Sequence, residues 1–365
     1  MSGPPIIPIG MIARTAECPE TRALETVKYL DPLRAPHCVG AAEMARELQA
    51  YLTGALPRSE ALVEATRGLE RKRVTLEECE AQRVEDATAA IALQKAAGLD
   101  FISDGQLNWQ DLFRPIVEAC EGLEGGALTR WFDNNTFYRK PTVIGDLTLH
   151  SGLPHEYFRT RLLNGYAWHV ILPGPYTFAR ASEAPGHLGT LEERLDATAK
   201  LLRQAARWCI ERGARHLQFS EPWLVYQPPK KRGLEAVASA YASLTKGLNA
   251  DTLLSTYFGD LKGVYPDVLD FSVDAIGIDL TATNLTDLKE HDFDKGAVLG
   301  LVDGRNSLVE TPGGIVALAE EAQAVLDPDF LAIAPTCELE LCPRQVAEEK
   351  VKVLGRALEL GREKL

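Results

Sequence analysis

The chain has 365 residues, 45% of them hydrophobic, and a formal net charge of -13. The acidic balance argues against a general nucleic-acid surface or an anionic-membrane surface, both of which need clustered Lys and Arg. The length exceeds the roughly 250 residues of a bare (β/α)8 barrel, so one large domain spanning 1–365, with insertions at about 23–74 and 123–150, is expected rather than two domains.

In chain order, residues 6–12 read as the first strand, and a long charged helical region follows over 23–97. That region is too long for one barrel helix, so part of it is an excursion, and residues 75–97 carry the pattern of the first barrel helix. Gly98 closes that helix, and 99–103 is the second strand. Residues 131–149 look like an inserted hairpin or extended pair, whose Pro141 suits an edge. The third strand is 168–172, followed by a strong amphipathic helix over 191–212 that Gly213 closes. Strands four to eight fall near 215–219, 252–257, 275–278, 297–301 and 330–333. A helix over 343–364 ends the chain.

Short apolar strands alternating with amphipathic helices favour parallel βαβ units. The expected fold class is α/β, a (β/α)8 TIM barrel with an N-terminal helical excursion and an inserted hairpin. A doubly wound open sheet competes, but no G-x-G-x-x-G or P-loop follows a strand. Seven cysteines, at 18, 38, 79, 120, 209, 337 and 342, are an odd number in a large chain, so no disulfide framework is expected. No basic leader opens the sequence and no run approaches about 18 uninterrupted apolar residues, so a cytoplasmic location without a membrane span is expected.

Polar residues close almost every strand, where a parallel barrel places its active site. The strings are Ile9-Gly10, Ser103-Asp104-Gly105-Gln106, Gly174-Pro175-Tyr176-Thr177, Gln218-Phe219-Ser220-Glu221-Pro222, Ser255-Thr256-Tyr257-Phe258-Gly259-Asp260, Asp279, Asp303-Gly304-Arg305-Asn306 and Pro335-Thr336-Cys337. In order and at barrel spacing, six of them, those at Ser103, Gly174, Gln218, Ser255, Asp303 and Cys337, resemble the cobalamin-independent methionine synthase family over nearly the whole chain. The resemblance implies a (β/α)8 barrel that moves a methyl group from a methylated folate, or in short members a methylcorrinoid, to the thiol of homocysteine held by zinc.

Zinc serves that chemistry by deprotonating the thiol. The family's ligands are a His-x-Cys pair, a Glu and a Cys. The matching positions here are Ser255, Tyr257, Asp279 and Cys337, so the resemblance implies that the zinc site is degraded, and no metal ligand is assigned. Two carboxylates that hold the homocysteine ammonium in the family match Gln106 and Ser220, while Glu221 remains. The chain resembles the zinc-free N-terminal barrel of long family members in Trp131-Phe132-Asp133-Asn134-Asn135 and in Cys337-Glu338-Leu339-Glu340-Leu341-Cys342-Pro343.

Several residues read two ways. Cys337 is a nucleophile or ligand, or a small apolar filler. Asp104, Glu221 and Asp279 bind a cation or do acid–base work in one mouth, or they form salt bridges to Arg14 or Arg305. Arg305 clamps an anion or bridges to Asp279. Trp131, Phe137, Tyr138, Tyr176 and Tyr257 stack on a flat pterin or corrinoid ring, or simply pack. The histidines show no metal spacing, and His169 reads as a satisfied core residue.

The leading expectation is therefore a methyltransferase with Glu221, Asp279 and Cys337 as catalytic groups. Asp104, Gln106, Ser220, Arg305, Asn306, Trp131 and Tyr257 would bind substrate. A methylated folate or methylcorrinoid is the expected donor, zinc is doubtful, and a partner protein that completes the site is left open. The alternative is a non-catalytic barrel that binds folate or a partner.

Overall fold

Short, largely apolar runs of two to seven residues make the strands of the barrel. The computed structural model describes residues 47–150 and 152–365. The strand expected at 6–12, Arg14, and the first part of the helical excursion lie outside these residues. Seven parallel strands form one curled sheet: β1 (Gln49–Ala50), β4 (His169–Pro173), β5 (His216–Ser220), β6 (Asp251–Ser255), β7 (Ala275–Asp279), β8 (Gly296–Val302) and β9 (Leu331–Pro335). Their order is β1-β9-β8-β7-β6-β5-β4. Strands β4, β5, β7, β8 and β9 are buried at every position, as expected of a parallel sheet covered on both faces.

The edges of this sheet are bridged by the segment expected as the second strand. The Asp100 N–H donates to the Ala50 carbonyl at 3.0 Å, and the Asp100 carboxylate accepts from the Ala50 N–H at 2.8 Å. On the other side, Ile102 N–H donates to Ala167 O at 2.9 Å and His169 N–H to Ile102 O at 3.2 Å. The architecture is an α/β barrel, with 100–102 in the second position, and not a doubly wound sheet.

The first position corrects the sequence reading. Gln49 pairs with Ala332 and Ala50 with Ile333, so a barrel strand lies inside the stretch assigned to an insertion at 23–74. Helix α1 (Glu60–Glu70) follows it, capped by the Ser59 side chain. Helices α2 (Leu76–Ala96) and α5 (Leu191–Glu211) each begin at a reciprocal Thr–Glu capping box, Thr75 with Glu78 and Thr190 with Glu193. Gly98 and Gly213 follow at φ +72° and +104°, the left-handed conformation in which glycine stops a helix without strain. No helix among the described residues is long and apolar enough to cross a membrane.

The hairpin begins earlier than the sequence suggests. Strand β2 (Leu123–Arg130) pairs antiparallel with β3 (Phe137–Val143), and Trp131 sits in the connecting turn. Pro141 fits because both strands of this ribbon are edges. Phe113 fastens the hairpin to the barrel through ring contacts with Trp131, Tyr138 and Phe178 at 5.7, 5.2 and 5.4 Å between centroids. Helix α9 (Arg344–Arg362) carries Lys350, fully buried, whose ammonium donates to both Glu310 oxygens at 2.9 Å. Glu310 also accepts from Asp303 N–H, so the pair anchors the loop after β8.

The barrel interior includes Tyr51, Phe101, Leu253, Ala275, Val298, Ala332 and Ala334, with His169 and His216 among them. His169 is buried as expected, but neither of its ring nitrogens has a hydrogen-bond partner among the described residues, so it is not satisfied. Burial lowers the His169 pKa from 6.5 to about 4 and that of His216 to about 3. Both rings are therefore neutral near pH 7. As pH falls below about 6.5 the unfolded chain takes up protons that the folded chain refuses, so folding weakens. Compared by urea unfolding with the His169→Gln, His216→Gln double variant, the native chain should lose roughly 3 kcal/mol per histidine between pH 7 and pH 4.

Candidate active site

A cleft of about 620 Å³, open solvent included, lies at the C-terminal mouth of the barrel, between the strand ends and the hairpin. Thr53, Gln106, Ile171, Ser220 and Tyr257 contribute from five strand ends, and Trp131, Phe137 and Tyr138 from the hairpin. Asp111, Glu338 and Glu340 complete the wall. Of the residues expected to bind substrate, the structure brings Gln106, Ser220, Trp131 and Tyr257 together here. Phe137 and Tyr138 join them, whereas Tyr176 is buried elsewhere with its hydroxyl on Gln227 O at 3.1 Å.

The carboxylates expected to act in this mouth point elsewhere. Glu221 is fully buried, and its oxygens accept from Tyr176 N–H at 2.9 Å, Thr177 N–H at 2.7 Å and Tyr241 hydroxyl at 3.1 Å. It thereby ties the end of β5 to the start of helix α4 (Pro175–Ala181). Burial pushes its pKa up to about 7 against these hydrogen bonds. Asp279 accepts from Thr281 N–H and hydroxyl at 3.0 and 2.6 Å and from Phe258 N–H at 3.3 Å. Asp104 accepts from Gln106 N–H at 3.0 Å and Arg159 N–H at 2.9 Å, fixing its own loop and the one at 159. None of the three lines the cleft. Asp104 and Asp279 each close a turn because a short side chain meets the amide two residues on.

Arg305 is exposed, and its guanidinium lies 5.1 Å from the Phe258 ring centroid instead of on Asp279. Asn306 is exposed too and accepts from Leu308 N–H, shaping the loop. Cys337 is 1% exposed, and burial raises its thiol well above the ordinary range, so the environment disfavours a thiolate.

Asp111, Glu338 and Glu340 were not singled out from the sequence. Burial raises all three, Glu338 to about 7. The Trp131 indole N–H donates to Glu338 Oε1 at 3.2 Å. Asp111 is held by the amides of Phe113, Arg114 and Arg139. The acids that follow Cys337 were the available signal, since they leave the end of a barrel strand, where a parallel barrel places its site.

The residues that the resemblance matches to the family's zinc ligands form a poor donor set. Ser255 and Tyr257 offer hydroxyls, Asp279 has both oxygens engaged, and Cys337 is the single sulfur. Among the described residues, no group of three or more His, Cys, Asp or Glu is placed to hold a metal ion.

Residues 119–326 match the family model for the cobalamin-independent synthase, N-terminal domain. The chain belongs to that family. It is 27% identical over 326 residues to a methionine synthase of Saccharolobus solfataricus, covering 87% of this chain and 96% of that protein. It is 31% identical over 241 residues to a 5-methyltetrahydropteroyltriglutamate–homocysteine methyltransferase of Xylella fastidiosa, covering 63% of this chain and 31% of that protein. Among solved structures, a B12-independent methionine synthase from a Shewanella species, in complex with selenomethionine, superposes with a TM-score of 0.72 at 19% identity. That match covers 87% of this chain and 98% of the other, and it shows the shared fold.

The geometry makes Glu221 a structural anchor. A Cβ on Gly174 would lie 2.2 Å from its carboxyl carbon, so the carboxylate fills the space that glycine leaves. Glu221→Gln should cost about 2 kcal/mol of stability by urea unfolding, because an amide replaces one acceptor oxygen with a donor facing N–H groups. Unchanged stability with methyl transfer abolished would instead return Glu221 to the reacting centre.

Proposed function

We propose that this chain moves a methyl group from a methylated pterin of the folate type to a thiol whose carrier bears an ammonium group. The observation that carries this reading is one cleft that sets the aromatic faces of Trp131, Phe137, Tyr138 and Tyr257 against the carboxylates of Asp111, Glu338 and Glu340. Flat rings pack on aromatic faces, and a partly desolvated acidic wall favours a cation. Family membership, and relatives whose names describe methyl transfer to homocysteine, support the reaction class. Gln106 and Ser220, each less than a tenth exposed, stand where hydrogen bonds would orient the bound molecules.

On this reading, the acceptor is activated without a zinc ion of the family's kind. Ser255 and Tyr257 are weak donors for zinc, and both oxygens of Asp279 already accept hydrogen bonds. The thiol must then lose its proton to a side chain.

Chelator-treated protein should transfer methyl groups from a methylated folate to homocysteine or a related thiol, followed by mass spectrometry of the thioether. Trp131→Ala should weaken folate binding by about tenfold, the loss expected for one ring contact. If chelation abolished transfer and zinc restored it, the metal-free reading would fail. Folate binding with no transfer to any thiol would favour a binding barrel.

A further inference from the structure

The carboxylates at the top of this barrel differ in how fully they are engaged. Glu221, Asp279 and Asp111 each accept three hydrogen bonds, and Asp104 accepts two. Glu338 faces the cleft, and among the described residues the Trp131 indole is the hydrogen-bond donor to its carboxylate. Its backbone is held with unusual closeness. A Cβ on Gly54 would lie 2.6 Å from Glu338 Cβ and 2.7 Å from its Cα, so only glycine at 54 lets the loop after β9 come this near the end of β1.

We propose that Glu338 is the proton-transfer residue of the cleft, taking the proton of the acceptor thiol, with Gly54 and Trp131 as the positioning residues that hold it there. This rests on the methyl-transfer reading above. In the step, the S–H proton passes to the Glu338 carboxylate and the freed sulfur pair forms the S–CH3 bond. The C–N bond of the N-methyl pterin breaks, its electron pair stays on nitrogen, and that nitrogen takes up a proton, which neutral Glu338 can return. A thiol and an N-methylamine become a thioether and an N–H amine, with no net oxidation.

The charged and titratable groups around Glu338 come from every side of the cleft. Cys337 and Glu340 share its loop, and Tyr257 approaches from the loop after β6. Asp111 and Arg58 act on Glu340 in opposite directions. Burial first, and then the Glu340 charge, raise Glu338 to about 7. The ionised form is the base, so kcat should rise with pH through about 7.

The test uses the full chain, with a methylated folate as donor and homocysteine as probe thiol. Glu338→Gln keeps the shape and an acceptor for the Trp131 indole, and circular dichroism checks its fold. It should lower kcat by about 100-fold or more, leave KM within about threefold and remove the pH dependence near 7. Glu338→Asp should restore part of the rate together with the pH dependence. Gly54→Ala should lower kcat while keeping that dependence, since the carboxylate is displaced but still present. A second readout needs no folate: the rate at which methyl iodide alkylates the bound thiol should fall by about 100-fold in Glu338→Gln relative to the native chain. Glu338→Gln turning over at the native rate with the same pH profile would overturn the proposal and leave the methyl-transfer reading intact. Glu338-dependent alkylation with no methyl transfer from the folate would sink the transfer reading and keep the proton step. Alkylation equally fast in both proteins would overturn the proton step.

Discussion

The cleft depends on closure of the sheet at its narrowest point. Strand β1 is two residues long, and β4 is its nearest named neighbour on the open side. Four backbone and side-chain hydrogen bonds through Asp100, Ile102 and their neighbours span that gap. Without them Thr53 and Gln106 would sit on separate edges. With them, five strand ends share one rim, and the loop after β9 lies against Gly54 close enough to bring Glu338 over the mouth.

Acid residues at this rim divide by hydrogen bonding. A carboxylate that receives two or three N–H or O–H donors is spent on geometry, because leaving those donors unpaired in a buried site costs more than any one bond contributes. Glu221, Asp279, Asp104 and Asp111 are of this kind and fix loops. Glu338 and Glu340 are raised by burial without comparable compensation, which is the environment that keeps a carboxyl group poised to exchange a proton near neutral pH.

The aromatic side of the cleft is built from residues under conformational tension. Phe132 and Phe258 adopt φ of +49° and +66°, in the left-handed region that bulky residues avoid, and their rings meet at 5.3 Å. Trp131 and Tyr257, which line the cleft, immediately precede them and pack on them. Each turn therefore directs one ring into the cleft and the next ring over the top. Arg305 lies over Phe258 and extends that outer layer.

Barrel class, helix limits and most strands were legible locally. Thr75 and Thr190 with their partner glutamates mark helix starts, and short apolar runs such as His169–Pro173 and Leu331–Pro335, set between helical patterns, read as buried strands of a parallel sheet. The family resemblance was legible too, in strings that sit at those strand ends. What the sequence could not give was Gln49–Ala50 as a strand, since two residues carry no period and the pairing comes from β9 far along the chain. Nor could it separate Glu221 from Glu338. Both are glutamates beside a strand end, and their difference lies in which amides and which cavity the closed barrel brings to each. Local patterns of apolarity and capping act over a few residues and are written in the order of the chain. Hydrogen-bond satisfaction and access to a cleft arise between residues tens to hundreds of positions apart, and only the closed fold decides them.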